Sequence, residues 1–579
     1  MTIPKDWRFP IAVAALLAAM GVVLVVTAAG ETQTWDEGIH LSAGYSYLKT
    51  GDFKMNREHP PLFKLLAAVP LLLLKPDLPL DREAWKNGWQ IEFSRDFMDL
   101  NRVSPDQILR YGRIPTMLLT LLLGVAIAVW TRRHFGTAAA LGALFLYATD
   151  PNVIAHGRYV TNDLMVTLFA FAVVIAWAKY LETKRRRDLV AAGLLLGLAL
   201  VSKFSALFLI PVVVLLYLIR WWQEGAVESP VSKKLSLKHC LVSLAVLAVI
   251  GAVVIGAVYG PETLRSLGGP ALIDEMRPAK EANPINSALR AMGYFFDLPA
   301  HPYLLGLNRV SEFDTEGHNA YLLGRTSMFG WWYYFPVVFA VKTPTAVLLL
   351  VVACLGIGVY RSLAVAARKG GVGRWTSGLR TLPFRWVALA APMVVYGAML
   401  FTSHVNLGVR YLLPVYPFLF ILLAAIVMLK PKVWLIVAVV AVQLFETVRI
   451  YPDYLAFFNT VSGGPGNGPR YLADSNIDWG QDLKKLRKYL ESTAPKERVC
   501  FTYFGTASLP YYFIPHFYLP EAKDVELRKN MDCIVAISVT QLYDVYVAPG
   551  TFSWLREKKP LAKVGYSIYV YDLRKGRTR

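Results

Sequence analysis

Charged residues are scarce in this chain, and cysteine is scarcer still. Of 579 residues only 18% are charged, below the roughly 25% of soluble domains, while 55% are hydrophobic and the mean hydropathy is positive. Four cysteines are too few for a disulfide scaffold. Zinc-finger spacing, a Walker loop and a GxGxxG turn are missing from the sequence, as are internal repeats and low-complexity segments. These absences disfavour the common nucleotide- and nucleic-acid-binding classes.

What the chain does have is long apolar runs, beginning with the uncharged run Ile11–Ala29. This run is long enough to cross a bilayer and longer than the roughly 7–15 residues of a secretory signal, so we expect a retained span. We predict a polytopic α-helical membrane protein with about eleven transmembrane helices, at 11–29, 112–130, 137–149, 160–181, 189–201, 205–221, 240–260, 336–360, 386–402, 411–429 and 433–450. The runs 137–149 and 189–201 are short, which favours broken or tilted helices.

The net charge of +20 does not require a nucleic-acid partner, because the basic residues cluster in short loops between apolar runs. The clusters are Lys5 and Arg8, Arg132-Arg133, Lys184–Arg187, Lys233–Lys238, the loop 361–385, and Lys430 with Lys432. They alternate with the other loops, as the excess of Lys and Arg in cytoplasmic loops requires. We therefore predict an N-terminus inside and a C-terminus outside the plasma (inner) membrane.

On this topology, two large loops lie outside together with the tail. Loop 30–111 contains the apolar stretch Leu62–Leu74, which is too short to span and predicts an interfacial or re-entrant helix. Four aromatic residues then recur every fourth position from Trp85 to Phe97, which predicts an amphipathic helix on the membrane that also packs against the bundle. Loop 261–335 is polar and aromatic.

The tail, residues 451–579, is predicted to be a small extracytoplasmic α/β domain that follows a transmembrane module at 1–450. Its strand-like runs are Val499–Tyr503, Cys533–Val539 and Ser567–Tyr571, with a helical stretch near Asp482–Leu490. Cys500 and Cys533 fall in two of these runs and could pair outside the cell. Sequence alone does not fix their separation, so both outcomes stay open.

The acidic pair Asp36-Glu37 follows closely after the first span. Two carboxylates at a membrane interface are desolvated and repel each other, which favours a role in chemistry or cation binding. A solvated loop that caps a helix is the alternative.

Further polar residues lie near membrane ends in the outer loops. They are Glu58, His59 and Lys64 around a Pro-Pro pair, then Arg158 and Asp163, then Lys203, and finally Arg410. Asp163 could instead cap a helix dipole, and Lys203 could be a snorkelling anchor. Single histidines in these loops are expected to be hydrogen-bonded packing residues, because no metal-spaced cluster appears. The whole set suits a lipid-linked anionic substrate: cations hold a phosphate, and a carboxylate takes a proton from the attacking group.

These residues resemble the GT-C superfamily of polyprenyl-phosphate-dependent glycosyltransferases, especially protein O-mannosyltransferases and lipid A aminoarabinose transferases. The resemblance is carried by Asp36-Glu37, Glu58–Lys64, Arg158–Asp163, the Lys203 turn and Gly408–Pro414. The tail segment Asp474–Asp482 resembles bacterial members known only as carrier-dependent glycosyltransferases. The resemblance implies a GT-C fold and the inverting transfer of a monosaccharide, hexosyl or pentosyl, from a polyprenyl-phosphate donor at the outer face.

The resemblance also implies roles for individual residues. Asp36 would be the general base for the acceptor hydroxyl, with Glu37 as its support. The donor and its phosphate would be bound by Glu58, His59, Lys64, Arg158, Asp163, Lys203 and Arg410. His59 stands where the aminoarabinose transferases carry lysine, and the trefoil-type insertion of the mannosyltransferases is missing, so the acceptor stays open between protein, lipid and glycan.

Two other classes of protein compete with this interpretation. A lipid-linked sugar flippase would also bind such a substrate, although the charges crowd the outer face rather than the midplane. A non-catalytic lipid-binding scaffold is the third hypothesis. No cofactor is required and no metal site is predicted, although a divalent metal at the outer carboxylates is left open.

Overall fold

The apolar runs of the sequence form helices, and in the described part of the chain helices dominate. The structure is a computed structural model that describes residues 5–225, 235–276, 283–368, 380–494, 497–514, 517–521 and 523–575. Lys233-Lys234 and residues 369–379 of the basic loop 361–385 lie outside the described residues.

The α-helices up to the middle of the chain are Lys5–Ala29, Glu37–Thr50, Leu62–Ala68, Leu71–Leu74, Glu83–Lys86, Gln90–Asp99, Pro105–Phe135, Thr137–Ala148, Pro151–His156, Asp163–Thr183, Arg186–Leu200, Leu209–Glu224, Leu237–Tyr259, Pro261–Leu267, Leu272–Glu275, Pro284–Phe296 and Pro302–Glu316. Those that follow are Tyr334–Lys342, Thr345–Arg368, Phe384–Thr402, Tyr416–Ala424, Val433–Arg449, Leu483–Thr493, Val525–Lys529, Val539–Leu542 and Ser553–Arg556. Short 3-10 turns lie at Phe204–Phe208, Val409–Val415, Ala425–Leu429, Tyr454–Ala456, Pro465–Arg470 and Asp474–Asn476.

Within the described ranges, seven helical segments are long and apolar enough to cross a membrane. They are Trp7–Ala29, Pro105–Phe135, Asp163–Thr183, Phe204–Glu224, Leu237–Tyr259, Phe384–Thr402 and Val409–Leu429. The prediction of eleven spans is therefore confirmed only as a multi-pass helical bundle. Three of the predicted spans are the shorter helices Thr137–Ala148, Arg186–Leu200 and Val433–Arg449.

An eighth candidate span is broken. Where the sequence predicts one span at 336–360, the helices Tyr334–Lys342 and Thr345–Arg361 meet at an angle of 115°. Pro344 lies in the break, and Thr343 before it is extended (φ −78°, ψ 133°). A residue that precedes proline avoids the helical region, so the local sequence accounts for the bend.

The loops that were predicted to share the inner side do meet at one end of the bundle. The Arg132 guanidinium lies 4.3 Å from the centre of the Phe9 ring. At the same end, Lys184 Nζ lies 3.0 Å from Glu224 Oε2, which also accepts the Leu235 N–H. The alternation of loops is therefore consistent with these contacts, while the side of the membrane on which each end lies stays a prediction.

Loop 30–111, which is predicted to lie outside, packs onto the bundle through its aromatic residues. Phe93 and Phe97 of the predicted amphipathic segment are fully buried, whereas Trp89 is 53% exposed. A short helix Glu83–Lys86 and a turn precede the helix Gln90–Asp99. The aromatic face thus packs mainly inward against the protein.

The described residues form two sheets. A hairpin pairs β1 (Ala320–Leu322) with β2 (Arg325–Ser327). In the tail, five strands occur in the order β4-β3-β5-β7-β6, with β3 Val499–Thr502, β4 Phe517–Tyr518, β5 Ile534–Ser538, β6 Ala562–Val564 and β7 Ile568–Asp572. Strands β4, β3 and β5 are parallel, and β7 is antiparallel to both β5 and β6. The three predicted strands correspond to β3, β5 and β7, and a disulfide joins Cys500 to Cys533.

The tail is not separated from the bundle by a gap in packing. Lys342, the last residue of its helix, donates to the carbonyl oxygens of Leu455 and Asn476, each at 2.8 Å. Both acceptors lie beyond residue 450. The chain therefore changes from a helical bundle to an α/β fold near this residue, but the two parts are packed against each other. The division into 1–450 and 451–579 stays a prediction.

Candidate active site

Asp36 lies at the point where loop 30–36 meets the helix Glu37–Thr50. Arg410 Nη1 donates to Asp36 Oδ2 at 3.0 Å, and the Asp36 side chain keeps 22% of its surface exposed. Arg410 comes from the first turn of the span Val409–Leu429, which is one of the two most buried spans. The structure therefore joins a partly accessible carboxylate to a cation at the start of a strongly buried span.

Glu37, next to Asp36, is fully buried and fully engaged. Arg113 Nε and Nη2 donate to its two oxygens at 2.8 and 2.7 Å, and the backbone N–H groups of Thr34 and Val160 add two more hydrogen bonds at 2.9 Å. A carboxylate with both oxygens occupied in this way cannot take a proton from a substrate. These contacts are those expected of the supporting role predicted for Glu37 from the sequence.

Asp163 and Lys203 form a second pair, with Lys203 Nζ 2.5 Å from Asp163 Oδ1. Asp163 opens the other strongly buried span, Asp163–Thr183, and its Oδ2 is buried without a hydrogen-bond partner in the described part of the chain. Lys203 also lies 4.5 Å from the centre of the Tyr411 ring, the residue after Arg410. The two predicted cations are thus brought to adjacent positions.

His40 and His59 face these pairs. Their ring centres lie 5.2 Å apart, and His40 has Asp36, Asp163 and Arg410 among its electrostatic neighbours. Burial lowers the pKa of His40 to about 4 and the pKa of His59 well below its usual value. Both rings are therefore neutral near pH 7 and act as hydrogen-bonding groups rather than as cations.

Lys64 is placed away from a phosphate-binding role. Its Nζ donates to the carbonyl oxygens of Asn56 (2.6 Å) and His59 (2.8 Å) and to Tyr47 Oη (2.9 Å). Glu58, in the same loop, accepts from Gln90 Nε2 at 3.0 Å. These contacts fix the conformation of the loop around the Pro-Pro pair.

Arg158 is also committed elsewhere. It is completely buried, its Nε and Nη2 donate to the two oxygens of Glu31 at 3.0 and 2.7 Å, and its Nη1 donates to Thr27 Oγ1 at 2.9 Å. Burial raises the pKa of Glu31, but Arg158, Lys485 and Arg113 together outweigh burial, and the pKa lies below its usual value. Arg158 thus ties the end of the first span to the second outer loop instead of facing Asp36.

The tail motif Asp474–Asp482 holds both sides of the Asp36–Arg410 pair. The carbonyl oxygens of Trp479 and Gln481 accept the N–H groups of Trp35 and Thr32 at 2.9 and 2.8 Å. The indole of Trp479 also lies under the Arg410 guanidinium, 4.7 Å from it. Sequence reasoning recorded this motif only as a resemblance and assigned it no role in the site.

The same motif also fixes the loop before Arg410. Asn476 Oδ1 accepts the Val409 N–H at 3.1 Å, and Gly408 has φ +98°, a conformation that favours glycine. A Cβ on Gly408 would lie 2.4 Å from Asn476 Oδ1. The tail therefore fixes the backbone directly before Arg410 and, with it, the position of the arginine.

Several buried polar atoms around these pairs have no hydrogen-bond partner among the residues that the structure describes. They are Thr34 Oγ1, His40 Nδ1, both ring nitrogens of His156, Thr161 Oγ1, Asp163 Oδ2 and Arg410 Nε. Buried polar groups are normally satisfied, so this concentration is typical of a binding site. Over the described ranges, no three His, Cys, Asp or Glu side chains converge in a way that could hold a metal ion.

Comparisons with known proteins agree with the motifs. Residues 107–255 match the family model described as dolichyl-phosphate-mannose-protein mannosyltransferase. A search of curated protein sequences finds no significant match. The family match confirms the predicted resemblance to polyprenyl-phosphate-dependent glycosyltransferases, and the candidate spans indicate a multi-pass membrane protein.

Solved structures align at low sequence identity. ArnT from Cupriavidus metallidurans bound to undecaprenyl phosphate is 14% identical, with 98% of each chain covered and a TM-score of 0.45. The Pmt1-Pmt2 protein O-mannosyltransferase complex of S. cerevisiae bound to the sugar donor is 21% identical over 45% of this chain and 33% of that chain, with a TM-score of 0.31. AglB from Archaeoglobus fulgidus, in complex with an inhibitory peptide and a dolichol-phosphate, is 13% identical over 98% and 75% of the two chains, with a TM-score of 0.45.

Proposed function

We propose that this protein transfers a monosaccharide, with inversion, from a polyprenyl-phosphate donor to an acceptor hydroxyl at the outer face of the plasma (inner) membrane. The observation that carries the proposal is the Asp36–Arg410 pair. It joins a partly exposed carboxylate to a cation at the end of a buried span. A second cation, Lys203, stands beside it next to Tyr411.

Each group has a role in a single displacement. The acceptor oxygen attacks the anomeric carbon and forms the glycosidic bond while the bond from that carbon to the phosphate oxygen breaks. The hydroxyl proton passes to Asp36, and the electron pair of the broken bond leaves with polyprenyl phosphate. Because the phosphate is a good leaving group, Lys203 and Arg410 need only stabilise its charge as it departs.

Arg410 couples the two halves of this reaction. Its Nη1 holds the proposed base, and its guanidinium stacks on Trp479, so its position is defined before a phosphate binds. A preorganised cation near a developing charge lowers the barrier without further rearrangement. Asp163 serves as a positioning residue that orients Lys203 through their 2.5 Å contact.

Three residues leave the predicted donor-binding set in this proposal. The charged groups of Lys64 and Arg158 are both engaged by protein oxygens, and Glu58 binds the amide of Gln90. Each of them shapes a loop of the site. His59 stays in the set, because its ring lies beside His40.

Two observations support the outer location. The basic segment Lys184–Arg187 follows the far end of the helix that Asp163 begins, and such basic segments favour the cytoplasm. The disulfide between Cys500 and Cys533 lies in the tail, which contacts the Asp36 loop, and disulfides persist in extracytoplasmic compartments.

The experiment uses purified protein and radiolabelled polyprenyl-phosphate hexoses and pentoses, with membranes of the host as the source of acceptor. Release of free polyprenyl phosphate together with a labelled acceptor is expected. Asp36→Asn should lower the rate by roughly 10²–10⁴-fold while donor binding persists. The exposed Asp81 lies in the same outer loop, so Asp81→Asn is the matched control and should keep the wild-type rate.

The competing functions predict other results. Movement of the intact donor across vesicles without cleavage of its phosphate bond would establish a flippase instead. Donor binding with neither cleavage nor movement would indicate a scaffold. Wild-type turnover in D36N would remove Asp36 from the role of base.

A further inference from the structure

Both ring nitrogens of His156 are buried without a hydrogen-bond partner among the described residues, whereas for His40 this holds only for Nδ1. The side chain is 1% exposed. It lies edge-on to Trp479, with ring centres 5.9 Å apart. The packing role expected from the sequence would require hydrogen bonds on this ring, and the structure has none for it among the described residues.

His239 shows what a packing histidine looks like in the same molecule. Its two ring nitrogens meet the hydroxyls of Tyr180 and Tyr217 at 3.1 and 3.0 Å. The fold can therefore satisfy a half-buried imidazole on both sides where its role is structural. His156 lacks this arrangement although it is more deeply buried.

The position of His156 is firmly set by its backbone. It ends the short helix Pro151–His156, whose N-cap Asp150 accepts two backbone N–H groups. The next carbonyl, that of Gly157, accepts from Thr120 Oγ1 at 3.1 Å. A Cβ on Gly157 would lie 2.6 Å from the Val153 carbonyl oxygen, so the turn that follows His156 leaves no room for a side chain.

The surroundings of His156 are those of the proposed site. Its electrostatic neighbours are Asp163, Arg410, Lys342 and Arg158, and two of these belong to the donor-binding set. Burial lowers the pKa of His156 to about 3, so the ring is neutral and offers one N–H donor and one nitrogen acceptor. A neutral donor and a neutral acceptor beside an indole suit the hydroxyls of a sugar. The phosphate of the donor is already matched by the two cations Lys203 and Arg410.

We propose that His156 hydrogen-bonds the sugar of the polyprenyl-phosphate donor and contributes to the choice of sugar. The inference rests on the proposed function and adds a substrate contact to it. The buried ring nitrogens acquire partners when the sugar binds, which explains why the protein supplies none.

The test compares His156→Phe with the matched control His239→Phe in two measurements on purified protein. The first is the thermal unfolding midpoint without ligand, and the second is the affinity for polyprenyl-phosphate mannose and for polyprenyl phosphate alone. H156F should unfold no earlier than wild type and should lose about tenfold in affinity for the sugar-bearing lipid only. H239F should unfold earlier and bind both lipids as wild type does.

The remaining outcomes overturn the inference in distinct ways. Equal affinity of H156F and wild type for the sugar-bearing lipid removes the contact, and an equal loss for both lipids assigns His156 to the phosphate. Wild-type protein that binds neither lipid overturns the proposed function as well. Should H156F fold poorly, H156N and H156Q replace it. Because an amide can occupy the position of only one ring nitrogen, both variants should bind the sugar-bearing lipid more weakly than wild type and polyprenyl phosphate as wild type does. Wild-type affinity of both variants for the sugar-bearing lipid would contradict a specific hydrogen bond.

Discussion

Substitution of Asp36 should abolish most activity with little effect on stability, whereas substitution of its neighbour Glu37 should lower stability with little effect on activity. The substitution Glu37→Leu tests this contrast most directly. The change removes the charge that pairs with Arg113 and the acceptor of two backbone N–H groups. Leucine has a similar volume, so the loss is electrostatic rather than steric. Asp36 next to it keeps its contact with Arg410.

The structure sets the magnitude of this effect. Arg113 is 2% exposed, and breaking a buried ion pair by removing one partner costs about 3–5 kcal/mol. Proteins of this kind are stable by only about 5–15 kcal/mol. We therefore expect E37L to unfold at a markedly lower temperature, with the activity of the surviving folded fraction within a few-fold of wild type.

A double substitution separates the charge from the hydrogen bonds. Glu37→Leu with Arg113→Met leaves no unpaired charge, so it should recover part of the lost stability, but not all, because Thr34 and Val160 still lack an acceptor. Thermal unfolding in detergent and activity per folded molecule are the measurements. An E37L protein that is as stable as wild type and inactive would refute the structural assignment of Glu37 and place it in the chemistry.

Two further predictions concern the surroundings of the site. Gly408→Ala should lower turnover at least tenfold, because a Cβ would press on Asn476 and the backbone there has φ +98°. The control is Gly397→Ala, where nothing lies within 4 Å of the new atom. Equal turnover rates in the two variants would contradict the argument. Burial lowers the pKa of Lys64 from 10.5 to about 7, so between these values the unfolded chain binds a proton that the folded protein lacks and stability should rise with pH. Unfolding midpoints measured from pH 7 to 10 should lose this slope in Lys64→Met, and an identical slope in both proteins would argue against the shift.

Apolar length and basic loops were enough to predict the multi-pass bundle, because both act through the membrane itself rather than through particular neighbours. The break at Pro344 was readable from the sequence in principle, since the residue before a proline resists helix. The number of spans was harder, because helices such as Thr137–Ala148 are apolar but short.

The candidate site was predicted only in part. Asp36, Asp163, Lys203 and Arg410 are brought together as expected, and their position at membrane ends was the usable signal. Arg158 and Lys64 carry the same charge in the same loops, yet each binds protein oxygens. Sequence shows which charges are present but not which partner each one meets, and that partner decides whether a charge is free for a substrate.

The histidines show the converse. His156 is a lone imidazole in an apolar stretch, and nothing in its spacing separates it from His239. Only the absence of protein partners in the described structure distinguishes them, and partners are a tertiary property. A polar residue directly before a glycine turn, close to an expected carboxylate, is the one sequence signal that could have pointed to it.

The main-chain contacts between the tail and the Asp36 loop set an order of events during synthesis. Thr32 Oγ1 donates to the Gly480 carbonyl oxygen across 448 positions of the chain. The N-terminal loop leaves the ribosome long before its partner exists, and nascent chains fold from the N-terminus. The bundle can therefore assemble first, while Asp36 and Arg410 reach their final register only after the tail has been translated. An incompletely synthesised chain would then lack the assembled Asp36–Arg410 site.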